Sequence, residues 1–233
     1  IIICGDVVKG GQQDRIIEKD VVLKPKSGKK ELQVFCVEAG RWSSIETRTV
    51  SRNRVLSDAA VRAPQAPQFT AHYNKGSMGL RKVVEKEKDQ SKVWSKVEEI
   101  NRENKTPTAT KTYTALTNSA DYSKKIKAYV SFFQKKLGTE KNVIGLVVVT
   151  GNKVLGCDLF ATPALFNSQL PSLLHSYATE AILSGKPVTA KAAVVKTYMD
   201  KILKDETTQM ATLKEKGTVF VEGGKKLRVS CFD

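Results

Sequence analysis

The stretch that decides the fold runs Val143-Ile-Gly-Leu-Val-Val-Val-Thr-Gly-Asn-Lys-Val-Leu-Gly-Cys-Asp-Leu-Phe160. Two β-forming runs, Val143 to Val149 and Val154 to Phe160, flank a Gly151-Asn152 pair of the kind that closes two-residue hairpins. Thr162-Pro163 follows at once, an N-cap residue with proline at the first helical position. Leu170, Leu173, Leu174, Tyr177, Ala178, Ala181 and Ile182 then keep helical spacing as far as Gly185. Pro171 is expected to kink or restart that helix. Strand, strand, helix is not the alternation that a doubly wound parallel sheet requires.

Outward from this hairpin the same signals recur. Downstream, Thr189 to Lys204 reads as a helix with Val194, Val195, Tyr198, Met199, Ile202 and Leu203 on one side. The chain then ends in a hairpin, Thr218 to Val221 and Leu227 to Phe232 about Gly223-Gly224. Upstream, Tyr122, Ile126, Tyr129, Val130, Phe133 and Leu137 mark an amphipathic helix, and Gly138 stands where a left-handed cap is expected. Leu80 to Asn101 also reads as helical, with the wholly polar run Glu85 to Lys92 projecting into water. Lys105 to Asn118 is Thr-rich and breaks the pattern. Ser43 to Lys75 carries Ser, Arg, Pro and Gln, with one helical stretch, Val55 to Arg62, stopped by Pro64 and Pro67. The N-terminal block is β-rich: Ile1 to Cys4, a Gly10-Gly11 turn, Arg15 to Ile17, Val21 to Leu23, and Leu32 to Val37 closed by Gly40. The fold class is α+β, with strands at both ends and a central hairpin forming mixed or antiparallel sheet, packed with about four helices. We expect one domain over 1–233, with a helical, Lys-rich excursion at about 44–137.

The 233 residues carry a net charge of +15 and 40% hydrophobic residues, a globular composition, and no apolar run approaches the ~20 residues of a membrane helix. Thirty of the 39 cations are Lys, the ordinary solvating cation of a helix surface, which argues against nucleic acid as a partner without excluding it. Cys4, Cys36, Cys157 and Cys231 lie far apart without a Cys-x-x-Cys. They read as thiols packed in strands, with disulfides as the alternative in an oxidising compartment. His72 and His175 have no ligand spacing, so no metal or cofactor is expected.

Two polar clusters at strand ends are the candidate site. In Gly10-Gly11-Gln-Gln13-Asp14-Arg15, paired glycines allow a tight turn whose N–H groups can point outward, as in anion-binding nests. The turn lacks the Gly-Lys-Ser/Thr ending of a P-loop and the GxGxxG of a dinucleotide site. In Phe35-Cys-Val-Glu38-Ala-Gly-Arg41-Trp42, Arg41 suits a phosphate or carboxylate and Trp42 a flat ring, or else Glu38 and Arg41 lock the turn as an ion pair. Arg15, Arg41, Arg48, Arg52 and Arg54 put five of the nine arginines in the first quarter of the chain.

The blocks Ile3 to Arg15, Val34 to Trp42, Leu80-Arg81 with Gln90 and Val93-Trp94, Asp158 to Phe160, and Leu173 to Ala178 with Glu180-Ala181 together resemble one family. It is the domain family named for gene-neighbourhood association with ADP-ribosylglycohydrolases and rhodanese-like phosphatases. The resemblance implies a single α+β domain whose fuller members extend upstream of the glycine turn, often after a secretion signal. That suits the abrupt Ile1 start and an N-terminally truncated chain, and implies a secreted or periplasmic location, with a cytoplasmic one left open. It implies no catalytic role for His175, and by association it suggests a ligand bearing phosphate and ribose.

Three functions follow as expectations. The first is a binding module for an anionic small molecule, nucleotide-like or ADP-ribose-related, held by Gly10, Gly11, Gln13, Asp14, Arg15, Glu38, Arg41 and Trp42. The second is a hydrolase acting on such a ligand through Asp14, Glu38 or Asp158. The third is a structural or partner-binding protein that uses its basic helices.

Overall fold

The computed structural model describes residues 1–10, 13–40 and 69–233. The central hairpin forms as β5 (Gly145–Thr150) and β6 (Lys153–Phe160), with Thr150 opposite Lys153 and Gly151 at φ +53°, a left-handed conformation that glycine adopts without steric cost. The C-terminal hairpin, β7 (Gly217–Glu222) and β8 (Lys225–Phe232), turns through Gly223 and Gly224 at φ +58° and +74°. Because β8 pairs with β6, the two hairpins make one antiparallel sheet of order β5-β6-β8-β7.

A second antiparallel sheet, of order β3-β2-β1-β4, joins β1 (Asp6–Gly10), β2 (Arg15–Ile17), β3 (Val34–Cys36) and β4 (Phe69–Lys75). The α+β class therefore holds, with both sheets antiparallel. β4 has no counterpart among the elements expected in 43–75, and the helical stretch expected there, Val55 to Arg62, lies outside the described residues. The β4 sequence alternates Phe69, Ala71 and Tyr73 with Thr70, His72 and Asn74, and ends on Lys75, which is buried by pairing with Asp6 of β1.

Helix α1 (Met78–Lys82) runs into a π-helical turn, Val83–Glu87, and Lys88 then leaves the helix at φ +50°. Asp89 caps the next helix, α2 (Gln90–Glu103), by accepting from Lys92 N at 2.8 Å. The continuous helix expected from Leu80 to Asn101 is thus two helices. Its polar run is not all in water either, since Glu85 is buried. A 3-10 turn, Tyr113–Asn118, leads into α3 (Ala120–Leu137), which ends at Gly138 in a right-handed conformation, not the expected left-handed cap. α4 (Pro163–Ser184) is capped by Thr162, stops at Gly185 and runs through Pro171 without restarting. α5 (Ala192–Leu203) matches expectation, and α6 (Glu206–Lys216) is an addition to it.

Helix α4 touches α1, α3 and strands of both sheets, and so bridges them. It buries side chains all round, among them Phe166, Leu173, Tyr177 and Thr179, hence its lack of a single apolar stripe. The main core gathers Val7 and Ile16 of the N-terminal sheet, Val93, Val97 and Ile100 of α2, Ile126 of α3 and Phe232 of β8. Much of the stretch 69–137 thus lies in the core. A smaller cluster, Cys157, Ile202, Leu213, Val229 and Cys231, seats α5 and α6 on the C-terminal sheet.

A buried ion network fastens the sheets together. Asp158 of β6 accepts from Arg81 Nη2 at 2.7 and 2.9 Å, from Arg228 Nε and Nη2 at 3.0 and 2.8 Å, and from the Tyr177 hydroxyl at 2.8 Å. Arg228 also donates to Glu85 at 3.0 Å and to both oxygens of Asp20, beyond β2, at 2.9 Å. Glu85 further accepts from Ser230 at 2.6 Å and Thr218 at 2.9 Å. Burial alone would raise the pKa of Asp158, but Arg81 and Arg228 hold it down to about 2. Charges removed from water are tolerable when each finds such partners.

Candidate functional site

The N-terminal sheet sets side chains of one face in rows. Val8 of β1 lies opposite Arg15 of β2 and His72 of β4, and Arg15 lies opposite Cys36 of β3. His72, Val8, Arg15 and Cys36 therefore cross the sheet on a single face. Asp6, two residues from Val8 on that face, sits opposite Lys75.

Asp6 is the anchor of this face. Its carboxylate accepts from Lys75 Nζ at 2.5 Å and from Ile3 N at 3.0 Å, and His72 Nε2 stands 3.4 Å away. Burial opposes ionisation of Asp6, yet the Lys75 ammonium and these contacts hold it well below the usual carboxylate range. Burial pushes the pKa of Lys75 down, which the Asp6 charge partly offsets. The His72 side chain is 48% exposed, so this group reaches from the interior to solvent.

Arg15 is different in kind. Its Nε is shielded from solvent without a hydrogen-bond partner, and the guanidinium forms no ion pair among the described residues. Opposite it, the Cys36 thiol donates to Glu38 O at 3.4 Å and accepts from Glu38 N at 3.3 Å. Burial pushes this thiol up, while the Glu38 N–H and Arg15 work the other way, so it is protonated and a poor nucleophile at neutral pH.

The two polar clusters meet. Asp14 N donates to Glu38 Oε2 at 3.2 Å and Val37 N donates to Asp14 O at 3.0 Å. The Asp14 carboxylate accepts from Thr112 and Thr114 hydroxyls at 2.9 and 2.8 Å, so the Thr-rich segment before α3 clamps both clusters. Gly40 N donates to Thr110 O at 2.9 Å, and a Cβ on Gly40 would lie 2.4 Å from Ala109 O, so only glycine fits this approach. Gly10 has φ +144°, a conformation open mainly to glycine.

Gly10, Gln13, Asp14, Arg15 and Glu38 are thus brought together, with Gln13 and Glu38 buried. Gly11, Arg41 and Trp42 lie outside the described residues, as do Arg48, Arg52 and Arg54. Asp158 stands apart: it is 0% exposed, shares no partner with Asp14 or Glu38, and has its oxygens filled by two arginines and a tyrosine, so it is not available as a base. His175 is half-buried, its Nδ1 2.7 Å from Asn74 Nδ2, and burial lowers its pKa. Two cavities, of about 590 and 690 Å³, are lined by other residues. No group of three or more His, Cys, Asp and Glu among the described residues is arranged to hold a metal. No described helix is long and apolar enough to cross a membrane. All four cysteines are free thiols, and only Cys36 is not fully buried.

A family model described as the ARG and Rhodanese-Phosphatase-superfamily-associated Protein domain, ARPP-1, matches residues 1–230. The chain belongs to this family. No curated protein and no solved structure matches it significantly. The ARPP-1 match spans both sheets, the buried ion network and the Arg15 face together.

Sequence reasoning missed His72, Asp6 and Lys75 as one group of the ARPP-1 domain. Asp6 and Lys75 are 69 residues apart, and only the β1–β4 register joins them. The signal available was Asp6 itself, a lone carboxylate between apolar Ile1 to Cys4 and Val7-Val8, which has to find a cation if that strand is buried.

Proposed function

We propose that the domain binds an anionic ligand on the face of the N-terminal sheet that carries Arg15 and His72. One observation carries this reading: Arg15 is a partly buried guanidinium that forms no ion pair among the described residues, whereas Arg81, Arg228 and Lys75 each face carboxylates. A planar cation in that state fits a phosphate or carboxylate oxygen pair. The glycine turn at Gly10 and the clamped Asp14–Glu38 corner fix the backbone beside it. Arg41 and Trp42 follow Gly40 directly in sequence and suit a second phosphate and a ring. The family's association with ADP-ribosylglycohydrolases favours a ligand bearing phosphate and ribose, by association alone.

Calorimetry with ADP-ribose, AMP and inorganic pyrophosphate tests the reading. The expected outcome is saturable binding of at least one, weakened at least tenfold in Arg15→Met and less in Arg15→Lys. Absence of binding by the parent protein to all three ends it.

A hydrolytic variant of this reading is favoured by the His72–Asp6 contact, which orients an exposed imidazole through a buried carboxylate. It replaces Asp158 by His72 as the candidate base. Product release from ADP-ribose that His72→Gln abolishes, with binding retained, would separate it from simple recognition.

A further inference from the structure

A second surface uses none of the Arg15 face. The cavity of about 690 Å³ is lined on one side by Tyr129, Phe133 and Leu137 of α3, at i, i+4 and i+8, and on the other by Leu146 to Thr150 of β5. Leu155 of β6 and Leu174, Tyr177 and Ala178 of α4 also line it; because successive side chains of a strand point to opposite faces and five consecutive residues of β5 are touched, the groove reaches the strand's edge as well as the face that α4 covers. β5 is an edge strand, with β6 on its other side. Ile144 O accepts from Phe160 N at 2.7 Å, a register in which Leu146 and Val148 pair with β6 while Gly145 and Val147 turn their N–H and C=O outward. Among the described residues, none outside β6 supplies a backbone hydrogen bond to 145–149.

The rim is apolar and then basic. Tyr129, Phe133 and Val188 line the groove at 39–64% exposure, Phe132, 57% exposed, neighbours Phe133, and Ile144, 45% exposed, directly precedes β5. Phe132 and Phe133 pack edge-on with ring centroids 5.2 Å apart. Lys186 lines the groove and Lys136 follows Phe133 by three positions on α3, both without ion pairs among the described residues. A long apolar edge strand left open invites pairing, and contiguous exposed apolar surface marks an interaction site.

We propose that this groove binds an extended peptide segment, apolar on alternate residues and acidic at its ends, which adds to β5 as a fifth strand of the C-terminal sheet. Outward N–H and C=O groups supply the pairing, the aromatic wall takes alternate side chains, and the lysines select acidic flanks. A second copy of this chain fits less well, since it would bring two lysine rims and two +15 molecules together.

The test is fluorescence anisotropy with a fluorescein-labelled peptide, Asp-Asp-Val-Thr-Val-Thr-Val-Asp-Asp, and two isomers N-methylated on alternate residues of one or the other edge. Strand addition uses one edge only, so one isomer should bind as the parent peptide does and the other at least tenfold more weakly. Phe133→Asp, an exposed substitution that leaves the circular dichroism unchanged, should weaken binding at least tenfold. Lack of saturable binding, or isomers that behave alike, overturns the proposal. So does a dimer seen by size exclusion with light scattering that Phe133→Asp dissociates, because the edge then belongs to a second copy.

Discussion

Replacing Asp158 by Asn tests whether the buried network acts through individual pairs or through its overall charge. Two arginines face three carboxylates, Asp158, Glu85 and Asp20, so Asp158→Asn brings the formal count into balance. If total charge governed stability, the variant would be neutral or more stable. The pairing says otherwise, because among the described residues Asp158 is the only carboxylate that Arg81 touches, and an amide would turn N–H donors toward Arg81, Arg228 or the Tyr177 hydroxyl. Removing one partner of a buried pair costs about 3–5 kcal/mol, and at this chain length that is a fall in Tm of roughly 6–20 °C. Glu85→Gln should cost less, about 1–3 kcal/mol, because Arg228 keeps Asp158 and Asp20.

The same group fixes a pH signature. The pKa of Asp158 falls from 3.8 to about 2 on folding, so its contribution is complete above pH 4 and is lost as pH drops through about 2. That shift corresponds to about 2 kcal/mol. Glu85 and Asp6, also held low, act in the same direction. Urea denaturation of the parent and both variants between pH 2 and 7 measures all of this. A loss below 1 kcal/mol for Asp158→Asn at pH 7, or a larger loss for Glu85→Gln, refutes the pairwise account.

Two further outcomes follow from packing. Brief N-ethylmaleimide treatment of the native protein should label Cys36 first, with Cys4, Cys157 and Cys231 reacting only on unfolding, as read by peptide mass spectrometry; early labelling of Cys157 would contradict its burial between sheet and helices. Gly40→Ala places a Cβ 2.4 Å from Ala109 O and should lower stability by about 1–3 kcal/mol in urea titration, whereas an unchanged midpoint would show that this approach relaxes freely.

Turns and periodic faces were legible because their chemistry is local. Gly151-Asn152 and Gly223-Gly224 announce hairpins since few other residues tolerate a left-handed backbone. The spacing from Tyr122 to Leu137 announces α3 because Tyr122, Ile126 and Val130 meet the core directly. What escaped reading depends on distant partners. Glu85 looks like solvent-facing helix until Arg228, 143 residues on, is known to meet it. Lys75 at the end of β4 likewise finds its partner, Asp6, 69 residues away, and α6 buries only Leu213, too little to mark a face. The two strand-end clusters are expected to lie together and Asp14 does meet Glu38, whereas the clamp by Thr112 and Thr114 carries no signal in the sequence, since threonine hydroxyls have no spacing pattern.

Arg15 also tests function against stability, because the two roles open to it predict opposite signs. A guanidinium holding the fold together would destabilise the protein when replaced by Met, as loss of a buried partner does at Asp158. A guanidinium kept for a ligand leaves a shielded Nε unpaired in the free protein, and desolvation without compensation costs free energy. Met retains most of the apolar stem and removes that cost, so free Arg15→Met should gain about 0.5–1 kcal/mol in urea titration while anion binding falls. Arg15→Lys should restore part of the binding and forfeit the gain, because the charge returns without the fork. A destabilised Arg15→Met would mean that this face is structural, and the anion-binding reading would then lose the observation that carries it.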